Sequence, residues 1–274
     1  MTVHTATGTT GTTDTTGLRS RLPWLLLGVL ILAQICYPLT DGTTRARLTV
    51  GTVLLGYLLS VGHALLTRGT RAALALVLVT TGGGLAVEAL GVATGVPFGR
   101  YDYPGALGPE LAGVPLVIPL AWTWMAWPAW LAAVRLSRHP VVRVLIAGVG
   151  LATWDVFLDP QMVAEGYWTW LDQTPALPGV PGIPLRNYLG WLLFAVLLAA
   201  LLRPAAGPAV GAARRTDAPM YALYLWTYAS SVLAHAVFLD LPASAAWGAL
   251  AMATVAVPLA VTLLRDRRRP RASR

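Results

Sequence analysis

Eight apolar stretches, most of them roughly the 20 residues a bilayer-spanning helix needs, dominate what this chain can fold into. They run over about residues 22–39, 48–66, 72–93, 112–134, 140–158, 187–202, 219–239 and 244–264. Water could not solvate a globule with so much apolar surface. A bilayer accepts it, because a helix satisfies its own backbone hydrogen bonds where no water is present. The composition agrees, with 56% hydrophobic and 12% charged residues and a mean hydropathy of +0.62. Soluble domains carry about 25% charged residues. A soluble enzyme, a disulfide-stapled secreted domain and a disordered regulator are therefore excluded. The expected fold is an all-α polytopic transmembrane bundle of eight spans. Seven is the fallback if the first run, which follows Arg19 and Arg21, is lost as a signal peptide; its length and the lack of a small-x-small site favour a retained helix.

Charge then orients the bundle. The formal charge is +8, and all twenty basic residues are Arg. With the N-terminus in the cytoplasm, sixteen Arg fall in inner segments and only Arg45, Arg47, Arg100 and Arg186 in outer ones. Both termini are thus expected in the cytoplasm of a multi-pass cell-membrane protein. Residues 1–20 form a disordered Thr-rich tail, 21–264 the transmembrane catalytic domain and 265–274 a basic tail facing anionic lipid. The basic charge is topological, so no nucleic-acid partner is implied. The lone Cys36 offers no disulfide framework and is expected to be packed in the core.

Acids distribute the other way. Asp41, Asp102, Glu110, Asp159, Glu165, Asp172 and Asp240 fall in or beside outer loops, while Glu88 and Asp155 lie within spans near their outer ends. An intramembrane carboxylate is costly enough to mark function. Glu88 follows Gly82-Gly83-Gly84, a triplet that lets a neighbouring helix approach. Asp155 and Asp159 are spaced i, i+4 and so share one helix face, where one proton between two carboxyls gives an acid beside a base. The competing reading of Asp159 is that it ends the helix before Pro160.

The two long outer loops are rich in aromatics beside these acids, notably Tyr101-Asp102-Tyr103 and Tyr167-Trp168-Thr169-Trp170. Each loop gains an aromatic-x-aromatic triplet thirteen to fifteen positions after its acid, Glu88 or Asp155, and enters the next helix through Gly-Val-Pro or Gly-Ile-Pro. An internal repeat of two hairpins facing one site and a chance likeness of Gly/Pro-rich loops both fit this pattern. His235 precedes the outer end of the seventh span and could join the acids through Asp240. No HExxH, paired CxxC, Walker loop or Rossmann glycine pattern occurs, so neither metal nor nucleotide cofactor is expected.

From Glu88 to Trp191 the chain resembles the membrane hydratases of carotenoid biosynthesis, the bisanhydrobacterioruberin and γ-carotene 1,2-hydratase family. The resemblance is carried by Glu88-x-x-Gly91, Thr94-Gly95-x-Pro97-Phe98-Gly99-x-Tyr101-x-Tyr103, Leu107-Gly108-Pro109, and Gly113-Val114-Pro115 leading to Pro119-Leu120-Ala121-Trp122. It continues through Asp155-x-x-Leu158-Asp159-Pro160-x-Met162-Val163, Gly166-Tyr167-Trp168-x-Trp170 and Gly182-Ile183-Pro184-x-x-Asn187-x-x-Gly190-Trp191. The resemblance implies a cofactor-independent hydro-lyase acting on an acyclic C40–C50 carotenoid held in the bilayer, with contact to other enzymes of that pathway. Such chemistry protonates a terminal alkene and lets water capture the tertiary carbocation. The expected catalytic residues are Asp155 and Asp159 as acid/base pair, with Glu88 positioning water or relaying a proton. Tyr101, Asp102, Tyr103, Trp122, Tyr167, Trp168, Trp170, Asn187, Trp191 and His235 are the expected substrate-binding set. Two rivals remain at this stage: an intramembrane prenyltransferase using Asp155-x-x-x-Asp159 with Mg²⁺, and a proton-coupled transporter relaying through Glu88, Asp155 and His235.

Overall fold

In the computed structural model, which describes residues 15–104 and 107–268, eight helical rods form the bundle. They are α1 (Thr15–Cys36), α2 (Gly42–Arg68), α3 (Thr70–Thr94), α4 (Val117–Leu136), α5 (Pro140–Ala164), α6 (Leu185–Ala206), α7 (Ala218–Leu233, continued by a π-helical Ala234–Phe238) and α8 (Pro242–Arg268). Seven of them are long and apolar enough to cross a membrane, the first included. The rod that falls short is α7, because its α-helical part has 16 residues before the hydrogen-bond pattern widens. Residues 1–14 of the Thr-rich tail and 269–274 of the basic tail lie outside the described residues, while Thr15–Ser20 and Arg265–Arg268 are already helical. Cys36, expected in the core, is exposed at the end of α1.

Burial follows the logic of lipid rather than that of water. Helix α4 is the hub, with 89% of its span buried, although its mean hydropathy of 1.3 is the lowest of the seven. Helix α6 has the highest, 2.0, and is 39% buried. Lipid tails are as apolar as any core, so the outward helices carry the most hydrophobic residues and the central one can be built from Trp and small residues. Trp122, Trp124, Trp127 and Trp130 of α4 are all buried.

Two prolines lie inside the buried helices, and each frees a carbonyl four residues earlier. Both carbonyls are taken by a serine from another helix. Ser60 Oγ of α2 donates to Trp124 O (2.8 Å), the acceptor freed by Pro128, and Ser244 Oγ of α8 donates to Val156 O (2.9 Å), the acceptor freed by Pro160. The fifth span therefore continues through Pro160 to Ala164 instead of ending near residue 158. Asp159 is consequently a helical residue on the same face as Asp155, not a helix terminator.

One end of the bundle gathers Arg side chains. Arg71 Nε donates to Ala205 O (3.1 Å), Arg143 Nη1 to Gly211 O (2.7 Å), and Arg135 pairs with Asp266. The tightest latch there is buried: Arg68 Nη2 lies 2.7 and 2.8 Å from the Asp217 carboxylate, which also accepts from Arg214 N (2.7 Å). Beside it, His63 Nε2 donates to Thr216 O (2.8 Å) while Nδ1 accepts from Trp127 Nε1 (3.0 Å). Removing one partner of a buried pair strands the other charge. Asp217→Ala is thus expected to destabilise the fold by about 3–5 kcal/mol, read as a lowered thermal midpoint in detergent. A midpoint equal to the parent's would show that the latch contributes nothing.

The opposite end is closed by the two long loops. In chain order the short strands are β1 (Tyr101–Asp102), β2 (Glu110–Leu111), β3 (Val114–Pro115), β4 (Thr169–Trp170), β5 (Ala176–Leu177) and β6 (Val180–Pro184). Strand β1 pairs antiparallel with β4, joining the loops to each other, whereas β2–β3 and β5–β6 are local hairpins leading into α4 and α6. The fourth helix thus starts at Val117, because residues 112–116 of that apolar run belong to a hairpin.

Candidate active site

The pairing of β1 with β4 sets Tyr101 opposite Trp170 and Asp102 opposite Thr169. The two aromatic-x-aromatic triplets face each other, with ring centroids 5.6 Å apart for Tyr101–Trp170 and 5.7 Å for Tyr103–Trp168. Trp122 and Trp191, each nine residues after the glycine of its Gly-Val-Pro or Gly-Ile-Pro, stack at 3.7 Å with their planes 6° apart. Of these contacts the Trp122–Trp191 stack joins matching positions of the two loops, whereas the triplets pair in reverse, the first ring of one against the last of the other, as antiparallel strands require.

Beneath this aromatic roof lies Glu88, 4% exposed. Its Oε2 accepts from Tyr101 OH (2.5 Å) and Tyr103 OH (3.0 Å), and its Oε1 from Trp122 Nε1 (2.9 Å). Two glycines on the same helix face make room for these donors. A Cβ at Gly84, one turn before Glu88, would stand 3.0 Å from the Trp122 ring. A Cβ at Gly91, one turn after it, would stand 2.6 Å from the Tyr101 hydroxyl. Of the triplet Gly82–Gly84, Gly83 faces Leu198 of α6 and Gly84 faces Trp122 of α4, while nothing lies within 4 Å of a Cβ at Gly82. Burial, and next the Glu88 charge, push the Tyr101 phenol well above the ordinary tyrosine range, so it stays a donor at any working pH.

Asp155 and Asp159 come together on α5 as their spacing requires, and both are buried. A single side-chain nitrogen joins them. Asn187 Nδ2, in the first turn of α6, donates to Asp155 Oδ2 (3.0 Å) and to Asp159 Oδ2. The two carboxyls differ in what they face. Asp159 and Glu88 both line a cavity of about 130 Å³; Asp155 lies outside that lining, fully buried, and its Oδ1 has no hydrogen-bond partner.

Tyr101, Tyr103, Trp122, Trp168, Trp170, Trp191 and Asn187, which the sequence also offered, are among the lining residues. Three expected residues do not join them. Asp102 alternates outward on β1 and is exposed. Tyr167 is buried but is not part of the lining. His235 does not reach the acids through Asp240, which is exposed with a φ of 55°. Instead its Nδ1 meets Ser244 Oγ (2.9 Å) and its Nε2 the Gln161 amide (3.3 Å). Ser244 Oγ also donates to Val156 O, so His235 and Ser244 tie α7 and α8 to α5 on either side of Asp159 in the sequence.

The sequence reading missed the opposite wall. Gln34 of α1, Thr52 of α2, and Thr227, Ser230 and Ser231 of α7 line the same cavity. Their signal was polar side chains inside apolar runs, each too weakly polar to stand out singly.

Against known proteins, the family model for carotenoid biosynthesis proteins matches residues 48–259. A bisanhydrobacterioruberin hydratase of Haloarcula japonica is 37% identical over 128 residues, covering 45% of this chain and 42% of the relative. The matched part is thus less than half the length of that curated relative. No solved structure matches.

Proposed function

Because the chain belongs to the carotenoid biosynthesis protein family, with a membrane bundle around a carboxyl-lined aromatic cavity, we propose that it is a carotenoid hydratase. It adds water across the terminal 1,2 double bond of an acyclic carotenoid end group. The observation that carries this reading is the pairing of two carboxyl centres, Glu88 and Asp155/Asp159, on one cavity walled by Trp and Tyr. The relative's name supplies the reaction class.

Asp159 gives its proton to the less substituted alkene carbon. The π pair forms the new C–H bond and leaves a tertiary cation on the neighbouring carbon. The faces of Trp and Tyr around the cavity stabilise that cation without bonding to it. Glu88, which accepts three hydrogen bonds and faces no cation, supplies negative charge across the cavity and orients the water. A lone pair of the water forms the C–O bond, and the surplus proton returns to Asp159, the carboxyl of the pair that lines the cavity. The acid is regenerated and no cofactor enters the balance. The substrate reaches the site from the bilayer, its solvent, and the protein works as a multi-pass membrane enzyme with lipids as its surroundings.

Expression in a lycopene-producing host tests this directly. The pigment is expected to become heavier by one water, with ¹⁸O incorporated when the cells grow in labelled water. Unchanged pigment alongside correctly inserted protein would refute the reading.

A further inference from the structure

The cavity lining includes polar residues that the proposed chemistry does not use. Among them the indole Nε1 of Trp124, on α4, and the Oγ1 of Thr227, on α7, have no hydrogen-bond partner. Both residues are deeply buried, at 5% and 2% exposure, and both line the cavity. Gly56 of α2 holds the Trp124 ring against its backbone, and Trp154 packs against it edge-on at 5.4 Å, so the indole is fixed in place. The neighbouring lining is neutral and hydroxyl- or amide-bearing, with Thr52, Ser230, Ser231 and Gln34. Buried polar groups in folded proteins are hydrogen-bonded, so a fixed donor and a hydroxyl left unpaired on residues that line one cavity call for a partner from the ligand.

That partner must accept from an indole N–H and pair with a hydroxyl, and no arginine is among the lining residues described to favour an anion. We propose that Trp124 and Thr227 form a hydroxyl-binding subsite of this cavity. It takes the O–H of water on its way to the alkene, or that of a tertiary alcohol already carried by the polyene. The proposal rests on the hydratase reading for the identity of the polyene and adds where its oxygen is recognised.

The test uses the full-length protein in nanodiscs and two matched polyenes, an acyclic hydrocarbon and its tertiary alcohol, with binding read by quenching of tryptophan fluorescence. If the alcohol is the ligand, the parent binds it about tenfold more tightly than the hydrocarbon, and Thr227→Val and Trp124→Phe abolish that preference. If water is the ligand, the parent shows no preference, and the same variants slow hydration of the hydrocarbon about tenfold with its binding unchanged. Thr227→Ser, which keeps the hydroxyl, is expected to behave as the parent in either case and controls for folding. Variants that alter neither the preference nor the rate would overturn the subsite. A parent that hydrates no polyene but keeps its alcohol preference would overturn the hydratase reading alone.

Discussion

Asp159→Asn is expected to lower hydration of an acyclic polyene by about 10²- to 10⁴-fold, the range for loss of a positioned general acid. The change is nearly isosteric, and the Asn side-chain oxygen can still accept from Asn187 Nδ2, so the helix and its partner remain in place. What disappears is the cavity-facing carboxyl proton. Asp155→Asn is the informative control. Its carboxyl is screened from the cavity, so that variant keeps the proton donor and loses only the second carboxyl beside it, and its rate falls less. Initial rates in membranes, normalised to protein, decide the order. A slower Asp155→Asn than Asp159→Asn would reverse the two roles, and parental rates for both would remove the pair from the mechanism.

The second large effect is expected at Glu88. Glu88→Gln places an NH₂ group where three donors converge, so at least one of Tyr101, Tyr103 and Trp122 loses its acceptor while the negative charge near the cation is lost. A fall of about 10²- to 10³-fold is expected, comparable with removal of one preorganised electrostatic contact in other enzymes. Gly91→Ala probes the same cluster from outside the carboxyl. Its methyl group would displace the Tyr101 hydroxyl, and the resulting loss should be smaller and matched by Tyr101→Phe. Polyene binding, followed by fluorescence quenching, is expected to persist in all three variants. Loss of binding together with turnover would make the cluster a structural support rather than a catalytic one.

These residues were legible for different reasons. Glu88, Asp155 and Asp159 stood out because a carboxyl in a span is expensive and therefore rare, and Asp159 needed only the i, i+4 rule to share a face with Asp155. Asn187, Trp122 and Trp191 were found through the motifs of the family resemblance. Asp102 falls outside the lining because strand residues alternate and it points away from the side that Tyr101 buries, while Tyr167, which precedes β4, is buried without joining the lining. His235 was misread because its partner is chosen across helices: Ser244 comes from α8 and Gln161 from α5, whereas Asp240, near in sequence, turns away to solvent.

The sequence by itself determined the class of molecule and the run of helices, and it singled out scarce carboxyls that the bundle buries. Those conclusions depend on local quantities, namely the length of apolar runs, the cost of a charge in lipid and the periodicity of a helix. Only the tertiary structure decided that Asp159 rather than Asp155 faces the cavity, that Tyr101, Tyr103 and Trp122 converge on Glu88, and that Ser60 and Ser244 repair the helices at Pro128 and Pro160. It also supplied the α1, α2 and α7 wall, with an indole and a hydroxyl left unpaired. The reason is physical. A hydrogen bond between helices depends on angstrom-scale approach, and that approach is fixed by glycines and prolines acting together across elements far apart in the chain.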